Sequence, residues 1–199
     1  MIGIYGGSFD PPHIGHLGVI LHFWNTFPEC KKLLLVPNYI SPFKNVKGAS
    51  ERDIVAMLLI LIQEKSILNT IVEDIEIQKK ETSYTIDTIE FIHKKYPKEE
   101  LYFIIGIDNL KEFPLWKEYK KILESTRLLI FDRDLGSKSD LPQELREFSD
   151  RIIFIDNRQI EASSSVIRNL PHHKRNAFLT NQILHYIEEK ELYGYRKTN

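Results

Sequence analysis

Gly6-Gly7-Ser8-Phe9-Asp10-Pro11-Pro12-His13-Ile14-Gly15-His16 is the stretch on which the reading of this chain turns. It follows a short apolar run, Met1 to Tyr5, that reads as a first strand. Two adjacent glycines let the backbone turn with no Cβ in the way, so a ligand can lie against the main chain. Asp10-Pro11-Pro12 makes a stiff, extended elbow, because each proline fixes its own φ and biases the preceding residue away from helix. His13 and His16, three apart, fall on one face once a helix begins. A strand, a glycine turn and a helix N-terminus form an anion site, with free N–H groups and the positive end of the helix dipole at one spot. Two imidazoles beside it add donors that can carry positive charge near neutral pH. The stretch therefore predicts a phosphate-handling site. A zinc or iron site using Asp10, His13 and His16 is the rival, and a buried structural pair of histidines is the other alternative. The prolines and glycines, which shape backbone for close approach of a ligand, favour phosphate.

The rest of the chain sets the frame for that site. Its 199 residues suit one domain, and 42% hydrophobic with 11% aromatic content supports a full core. Lys+Arg 27 against Asp+Glu 28 gives a net charge of -1, so no global basic field invites nucleic acid. Any polyphosphate must be met by a local cluster. Cys30 is the only cysteine, which excludes an internal disulfide and a cysteine-built zinc site. It reads as a small apolar side chain after the first helix. No basic leader with an apolar core opens the chain, and no apolar run approaches the roughly 20 residues that span a bilayer. A soluble, cytoplasmic protein that engages no membrane is the expectation.

Strand-like and helix-like patterns alternate along the chain. Ile14 to Phe27 has helical spacing and stops before Pro28, and Lys32 to Pro37 is an apolar run of the kind covered on both faces. Asn38 to Ala49 reads as a loop. Ser50 is a good N-cap for an amphipathic helix through Ile54, Met57, Leu58, Leu61 and Ile62. Alternation over Ile71 to Ile77 predicts a strand, and Ser83 is placed to cap a helix from Tyr84 to about Lys95. Leu101 to Ile105 reads as a buried strand ending at Gly106. Helical patterning resumes at Leu110, is interrupted at Pro114, and runs to about Glu124. Leu128 to Phe131 and Ile152 to Ile155 are two more strands, separated by a polar stretch from Asp132 to Ser149. A short helix after Ser164 and a longer one from about Ala177 to Lys190 finish the chain. This order predicts an α/β fold, a doubly wound parallel sheet with helices on both faces and ligands at the carboxyl ends of its strands.

Neither a G-x-x-x-x-G-K-[ST] loop nor a G-x-G-x-x-G turn after the first strand is present, so the common phosphate fingerprints do not apply. Four constellations join the histidine elbow as candidates. In Ala162-Ser163-Ser164-Ser165-Val166-Ile167-Arg168, hydroxyls and a guanidinium at helical spacing converge on one anion, or simply cap a helix. Gly106-Ile107-Asp108 places a carboxylate past a strand, where it accepts ribose hydroxyls or caps the next helix. Ser83-Tyr84-Thr85-Ile86-Asp87-Thr88 with Phe113-Pro114-Leu115-Trp116 offers a polar helix end and a ring for a planar heterocycle, or a capped helix and a core aromatic. Ser41-Pro42-Phe43-Lys44 with Lys47 is a basic loop that can steer phosphates.

At these residues the chain resembles the nucleotidylyltransferase superfamily with the H-x-G-H signature, and more specifically the nicotinate-nucleotide adenylyltransferases. The elbow, S-Y-T-I-D-T, G-I-D-N-L-K-E-F-P-L-W and S-S-S-V-I-R occur in that family's order, and Tyr186-Ile187 through Leu192-Tyr193 resembles its end. The resemblance implies a single domain over 1–199, with a Rossmann-like core over about 1–160 and a small helical C-terminal part over about 161–199. It implies transfer of AMP from ATP to nicotinate mononucleotide, with deamido-NAD and pyrophosphate as products. His13, His16 and Arg168 would be catalytic. Gly6, Gly7, Ser8, Phe9, Gly106, Asp108, Ser164 and Ser165 would join them in binding ATP. Lys44, Tyr84, Thr85 and Trp116 would bind the mononucleotide, Thr85 at the nicotinate carboxylate and Trp116 near the pyridine ring. Mg2+ would ride mainly on the ATP phosphates, with no metal ligand from the protein.

The match has two departures. Phe43 stands where the family's mobile loop usually has histidine, and Asp132-Arg133-Asp134 replaces an arginine-proline-glycine turn. The expected chemistry is in-line attack by the mononucleotide phosphate on the α-phosphorus of ATP, catalysed by positioning and charge stabilisation. Two alternatives stay open at this point: an adenylyltransferase for nicotinamide mononucleotide or phosphopantetheine, and a non-catalytic nucleotide-binding module.

Overall fold

A computed structural model of the chain describes residues 1–39, 48–132, 141–156 and 162–195. Its order begins β1 (Ile2–Gly7), α1 (Ile14–Thr26), β2 (Lys32–Pro37), α2 (Glu51–Glu64), β3 (Thr70–Val72), α3 (Ile75–Lys79), α4 (Thr85–Lys95) and β4 (Leu101–Gly106). Short 3₁₀ turns at Ile107–Asn109 and Phe113–Leu115 lead to α5 (Tyr119–Ser125) and β5 (Arg127–Asp132). A 3₁₀ segment, Gln143–Arg151, precedes β6 (Ile152–Asp156). Then come α6 (Ser164–Asn169), α7 (His172–Arg175), α8 (Asn181–Glu189) and a last 3₁₀ turn, Leu192–Gly194.

The strands form one sheet in the order β3-β2-β1-β4-β5-β6, every pair parallel. This is the expected α/β, Rossmann-like arrangement, and its order reverses between β1 and β4. The two-residue period of the strands divides the core into two layers. Leu33, Leu35, Ile104, Leu129 and Phe131 face a layer built with α1, α2 and α8. Ile2, Ile4, Leu34, Val36, Phe103, Ile105, Leu128 and Ile130 face the other, built with α4 and α5. Both faces are covered, which is why these strands read as unbroken apolar runs. On the first face, Phe23 of α1 is fully buried directly over Gly3. A Cβ on Gly3 would lie 2.5 Å from Phe23 Cζ. Among the described residues, no helix is long and apolar enough to cross a membrane.

Several local expectations are corrected. The strand expected over Ile71 to Ile77 stops at Val72, because β3 is an edge strand with only β2 beside it. Glu73 N–H still donates to Leu35 O, and then Gln78 N–H closes back on Asp74 O to make α3. The period-2 pattern outlasts its partner strand. The helix expected from Leu110 begins only at Tyr119, since Pro114 takes the first turn of a 3₁₀ segment and Glu118 sits in the left-handed region with φ 53. The last long helix starts at Asn181 rather than Ala177, because Phe178 O turns aside to accept from Ile14 N–H. Ser50 caps α2 as expected, its Oγ accepting from Asp53 N–H. Ser83 does not cap α4: the N-cap is Tyr84, and Ser83 Oγ accepts instead from Tyr39 N–H.

Candidate active site

A cleft of about 1150 Å³ opens at the carboxyl ends of β1 and β4, where the strand order reverses. Its lining includes the elbow after β1, the start of α4, the turn after β4 and the start of α6. Open α/β sheets place ligands in this crevice, because diverging helices leave strand ends and helix N-termini exposed there.

The elbow differs from the glycine turn that the sequence predicts. Gly6 and Gly7 are the last residues of β1, and neither has a positive φ. Phe9 takes the left-handed conformation instead, with φ 48. Its ring is 1% exposed, edge-on to Tyr5 at 5.4 Å and tilted against His16 at 4.9 Å. What Gly7 supplies is room: a Cβ there would come 3.2 Å from the Phe9 ring. The buried aromatic is thus the pin on which the elbow bends.

His13 is the N-cap of α1 and His16 its third residue, and each caps the other. His13 N–H donates to His16 Nδ1 at 3.2 Å, and His16 N–H donates to His13 Nδ1 at 3.4 Å. The rings stack with centroids 3.7 Å apart. Gly15 permits this, since its Cβ would lie 3.0 Å from His13 Nδ1. An accepting Nδ1 places the proton of a neutral imidazole on Nε2, the atom that points away from the capping contact. His13 is 4% exposed, and burial pushes its pKa down to about 4. The expectation that His13 can carry positive charge near neutral pH is therefore corrected: burial favours the neutral ring, which remains a donor. The expectation of free amides at α1 is corrected for two of them, since His16 N–H serves His13 and Ile14 N–H serves Phe178 O.

The serine–arginine stretch docks onto the elbow from the opposite side. Ser164 Oγ donates to Pro11 O at 3.0 Å, and Arg168 Nη1 donates to Asp10 O at 2.5 Å. Arg168 Nη2 also donates to Ser165 Oγ at 3.3 Å, the i, i+3 contact expected of that pair. Ser164, Ser165 and Arg168 all line the cleft. The sequence reading missed the partner that organises them. Asp10, only 2% exposed, accepts from Gly48 N–H, Ala49 N–H and the Tyr193 hydroxyl, and pairs with Arg168 at 3.5 Å. Among the described residues, no group of three or more His, Cys, Asp and Glu side chains is placed to hold a metal ion. The rival metal site of Asp10, His13 and His16 is not assembled, because the carboxylate is turned to these donors and the imidazoles to each other's amides.

At the other end of the cleft, Gly106 closes β4 and Asp108 lies exposed in the 3₁₀ turn that follows, so Gly106 rather than Asp108 is the cap there. Tyr84 and Thr85 begin α4, whose N-terminus has no side-chain cap. Trp116, half-buried, leans on Phe113 at 5.1 Å and on Phe103 at 6.1 Å. Lys117 Nζ sits 4.4 Å over the Tyr84 ring. Glu76 of α3 also lines the cleft and accepts from Thr88 Oγ1. Burial raises its pKa. It escaped the sequence reading because 71–77 read as a strand. Lys44, Phe43 and Lys47 lie outside the described residues, as do Arg133 and Asp134.

The model of the cytidylyltransferase-like family matches residues 4–170. A Leptospira interrogans protein named "probable nicotinate-nucleotide adenylyltransferase" is 31% identical over 195 residues, covering 98% of this chain and 97% of its own. A Leptospira borgpetersenii protein of the same name is 36% identical over 168 residues, covering 84% of this chain and 83% of its own. In fold, the chain is similar to Plasmodium falciparum nicotinic acid mononucleotide adenylyltransferase complexed with NaAD. The TM-score is 0.81 at 20% identity, with 98% of each chain covered.

Proposed function

The chain belongs to the cytidylyltransferase-like family, among the nicotinate-nucleotide adenylyltransferases. From that premise we propose that it transfers the adenylyl group of ATP to nicotinate mononucleotide, forming deamido-NAD and releasing pyrophosphate, as a step of NAD biosynthesis in the cytoplasm. One observation carries the choice of acceptor. A single cleft joins the histidine elbow and Arg168 to the uncapped N-terminus of α4 and the Trp116 ring. An anion-ready helix end with an aromatic ring beside it suits a pyridine carboxylate, whose full negative charge gains more from the helix dipole than an uncharged carboxamide does.

In this reading the acceptor's phosphate, already ionised near neutral pH, attacks the α-phosphorus of ATP in line. The new P–O bond forms as the bond to the β-phosphate breaks, and pyrophosphate leaves with the electron pair. No protein base is needed. Nε2–H groups of His13 and His16 donate to the oxygens that gain charge in the transition state, His13 as a neutral dipole. Arg168 neutralises the β- and γ-phosphates, with Ser164 and Ser165 beside it, and its planar fork suits their oxygens. Gly6, Gly7, Ser8 and Phe9 supply backbone along the nucleotide, Gly106 and Asp108 hold the adenosine ribose, and Lys44 with Tyr84 and Thr85 completes the acceptor site. Mg2+ carried mainly by the ATP phosphates, with no protein residue named as its ligand, would supply further charge neutralisation.

Pyrophosphate release from ATP tests this directly with nicotinate mononucleotide, nicotinamide mononucleotide and phosphopantetheine in turn. Turnover with the first at a kcat/KM well above the others is the expected result. Preference for the amide or for phosphopantetheine overturns the acceptor assignment, and no turnover with any of them leaves only a nucleotide-binding module.

A further inference from the structure

Behind the elbow, a ring of hydrogen bonds ties the end of the chain to the nucleotide end of the cleft. Tyr193 Oη donates to Asp10 Oδ1 at 2.7 Å across 183 residues of sequence. Arg175, 6% exposed, donates to Tyr193 O at 2.8 Å and to Arg168 O at 2.9 Å. Arg168 closes the ring by donating to Asp10 O. The ring has little slack. Gly48 lies between its members, and a Cβ there would fall 2.5 Å from Arg168 Cδ and 2.7 Å from Tyr193 Cε1. Tyr193 itself is held in the left-handed region, φ 55, a conformation that costs a bulky residue and persists only where surrounding contacts enforce it.

The Asp10 carboxylate shows what the ring does. A buried carboxylate needs its donors, and this one takes Gly48 N–H at 2.6 Å, the Tyr193 hydroxyl at 2.7 Å and Ala49 N–H at 3.1 Å. Arg168 Nη1 stays off at 3.5 Å from Oδ2, a loose pair. Of these four donors among the described residues, two are main-chain amides and the phenol is walled in by Gly48. Only the guanidinium, on a side chain 25% exposed, also reaches the cleft. Burial and the neighbouring Asp10 hold the Tyr193 phenol far above its ordinary pKa, so it donates at every working pH.

We propose that Tyr193 is a positioning residue of the nucleotide site: by saturating the Asp10 carboxylate it keeps the Arg168 guanidinium available to the triphosphate. The proposal rests on the reading that Arg168 meets the nucleotide's phosphates. Without the phenol, Oδ1 keeps only the Ala49 amide among the described donors, and Arg168 is the described side chain beside the carboxylate that also reaches the cleft. The guanidinium then turns toward the carboxylate to make up for the donor lost at Oδ1 and is withdrawn from the cleft.

The test uses the full chain with the Tyr193→Phe substitution, which removes one oxygen. Titration calorimetry with MgATP, in the absence of acceptor, is expected to show binding weakened by about fivefold to tenfold, the scale of one redirected charged hydrogen bond. In turnover assays KM for ATP should rise by a similar factor, with KM for the mononucleotide staying within about twofold. Unchanged ATP affinity, or equal weakening toward both substrates, overturns the proposal. Leu192→Ala serves as the comparison, because it loosens the same C-terminal turn without touching the ring. It should lower Tm and spare ATP affinity. If it reproduces the ATP defect at equal loss of Tm, the effect is general loosening and the proposal fails. Because calorimetry needs no acceptor, a wild type that binds ATP but ignores nicotinate mononucleotide refutes the acceptor assignment alone.

Discussion

Lowering the pH from 7.5 to 5.0 should destabilise the wild-type protein more than a His13→Asn variant. Asparagine is a strong N-cap, so it preserves the start of α1 while removing the titrating ring. An exposed histidine in the unfolded chain titrates near about 6.5, whereas burial holds folded His13 down to about 4. Above the unfolded value neither state binds the proton and the neutral ring's contribution is fully present. Between the two values only the unfolded state binds it, so stability falls as pH falls, and the loss saturates below the folded value. From about 6.5 to 5.0 is roughly 1.5 pH units, and at about 1.36 kcal/mol per unit the loss is about 2 kcal/mol. For a chain of this length that corresponds to roughly 4–8 °C in Tm. Urea unfolding of both proteins at both pH values measures it as a difference of differences, so the absolute cost of the substitution drops out. Parallel losses, agreeing within about 0.5 kcal/mol, would refute the claim that His13 is held neutral. The same neutrality requires that kcat/KM show no titration of His13 between pH 6 and 7.

Three further substitutions probe the two ends of the cleft and the packing that holds it. His16→Ala should lower kcat by on the order of 10²–10³ with a much smaller change in KM for ATP, as when one transition-state donor is removed; near-normal turnover would remove His16 from the chemistry. Trp116→Ala should raise KM for nicotinate mononucleotide while leaving KM for ATP nearly unchanged in steady-state assays, and an ATP-selective defect would place the ring at the wrong end. Gly3→Ala forces a methyl group to within 2.5 Å of Phe23 Cζ and 2.9 Å of Leu33 Cδ1. Overpacking of that kind costs about 1–3 kcal/mol, readable by urea unfolding; undiminished stability would show that α1 does not sit so tightly on β1.

Most of the architecture was legible because it rests on local regularities. Lys32 to Pro37, Leu101 to Ile105 and Leu128 to Phe131 read as strands because a sheet covered on both faces needs uninterrupted apolar residues, and their alternation between the two layers follows from the pleat. Errors fell where the pattern was ambiguous. Ile75 and Ile77 alternate as strand residues do, but past the end of a three-residue edge strand that alternation has no partner to pair with. Pro114 and Glu118 broke a helix that apolar spacing alone would have carried through.

The candidate site divides in the same way. His13, Gly15 and His16 lie within four residues, and their spacing alone told that two imidazoles share the first turn of a helix. The strand and the helix on either side of the elbow were thus determined by sequence, because helical and extended periods are properties of neighbouring residues. Only the tertiary structure decided that His13 is neutral, since burial depends on everything packed above the ring. It alone decided that Phe9, not a glycine, bends the elbow. And it alone joined Asp10 to Gly48, Arg168 and Tyr193, partners 38, 158 and 183 residues away. No local periodicity encodes such contacts. They exist because a parallel sheet returns distant segments to one edge, where a buried carboxylate must collect its donors from whatever the fold brings near.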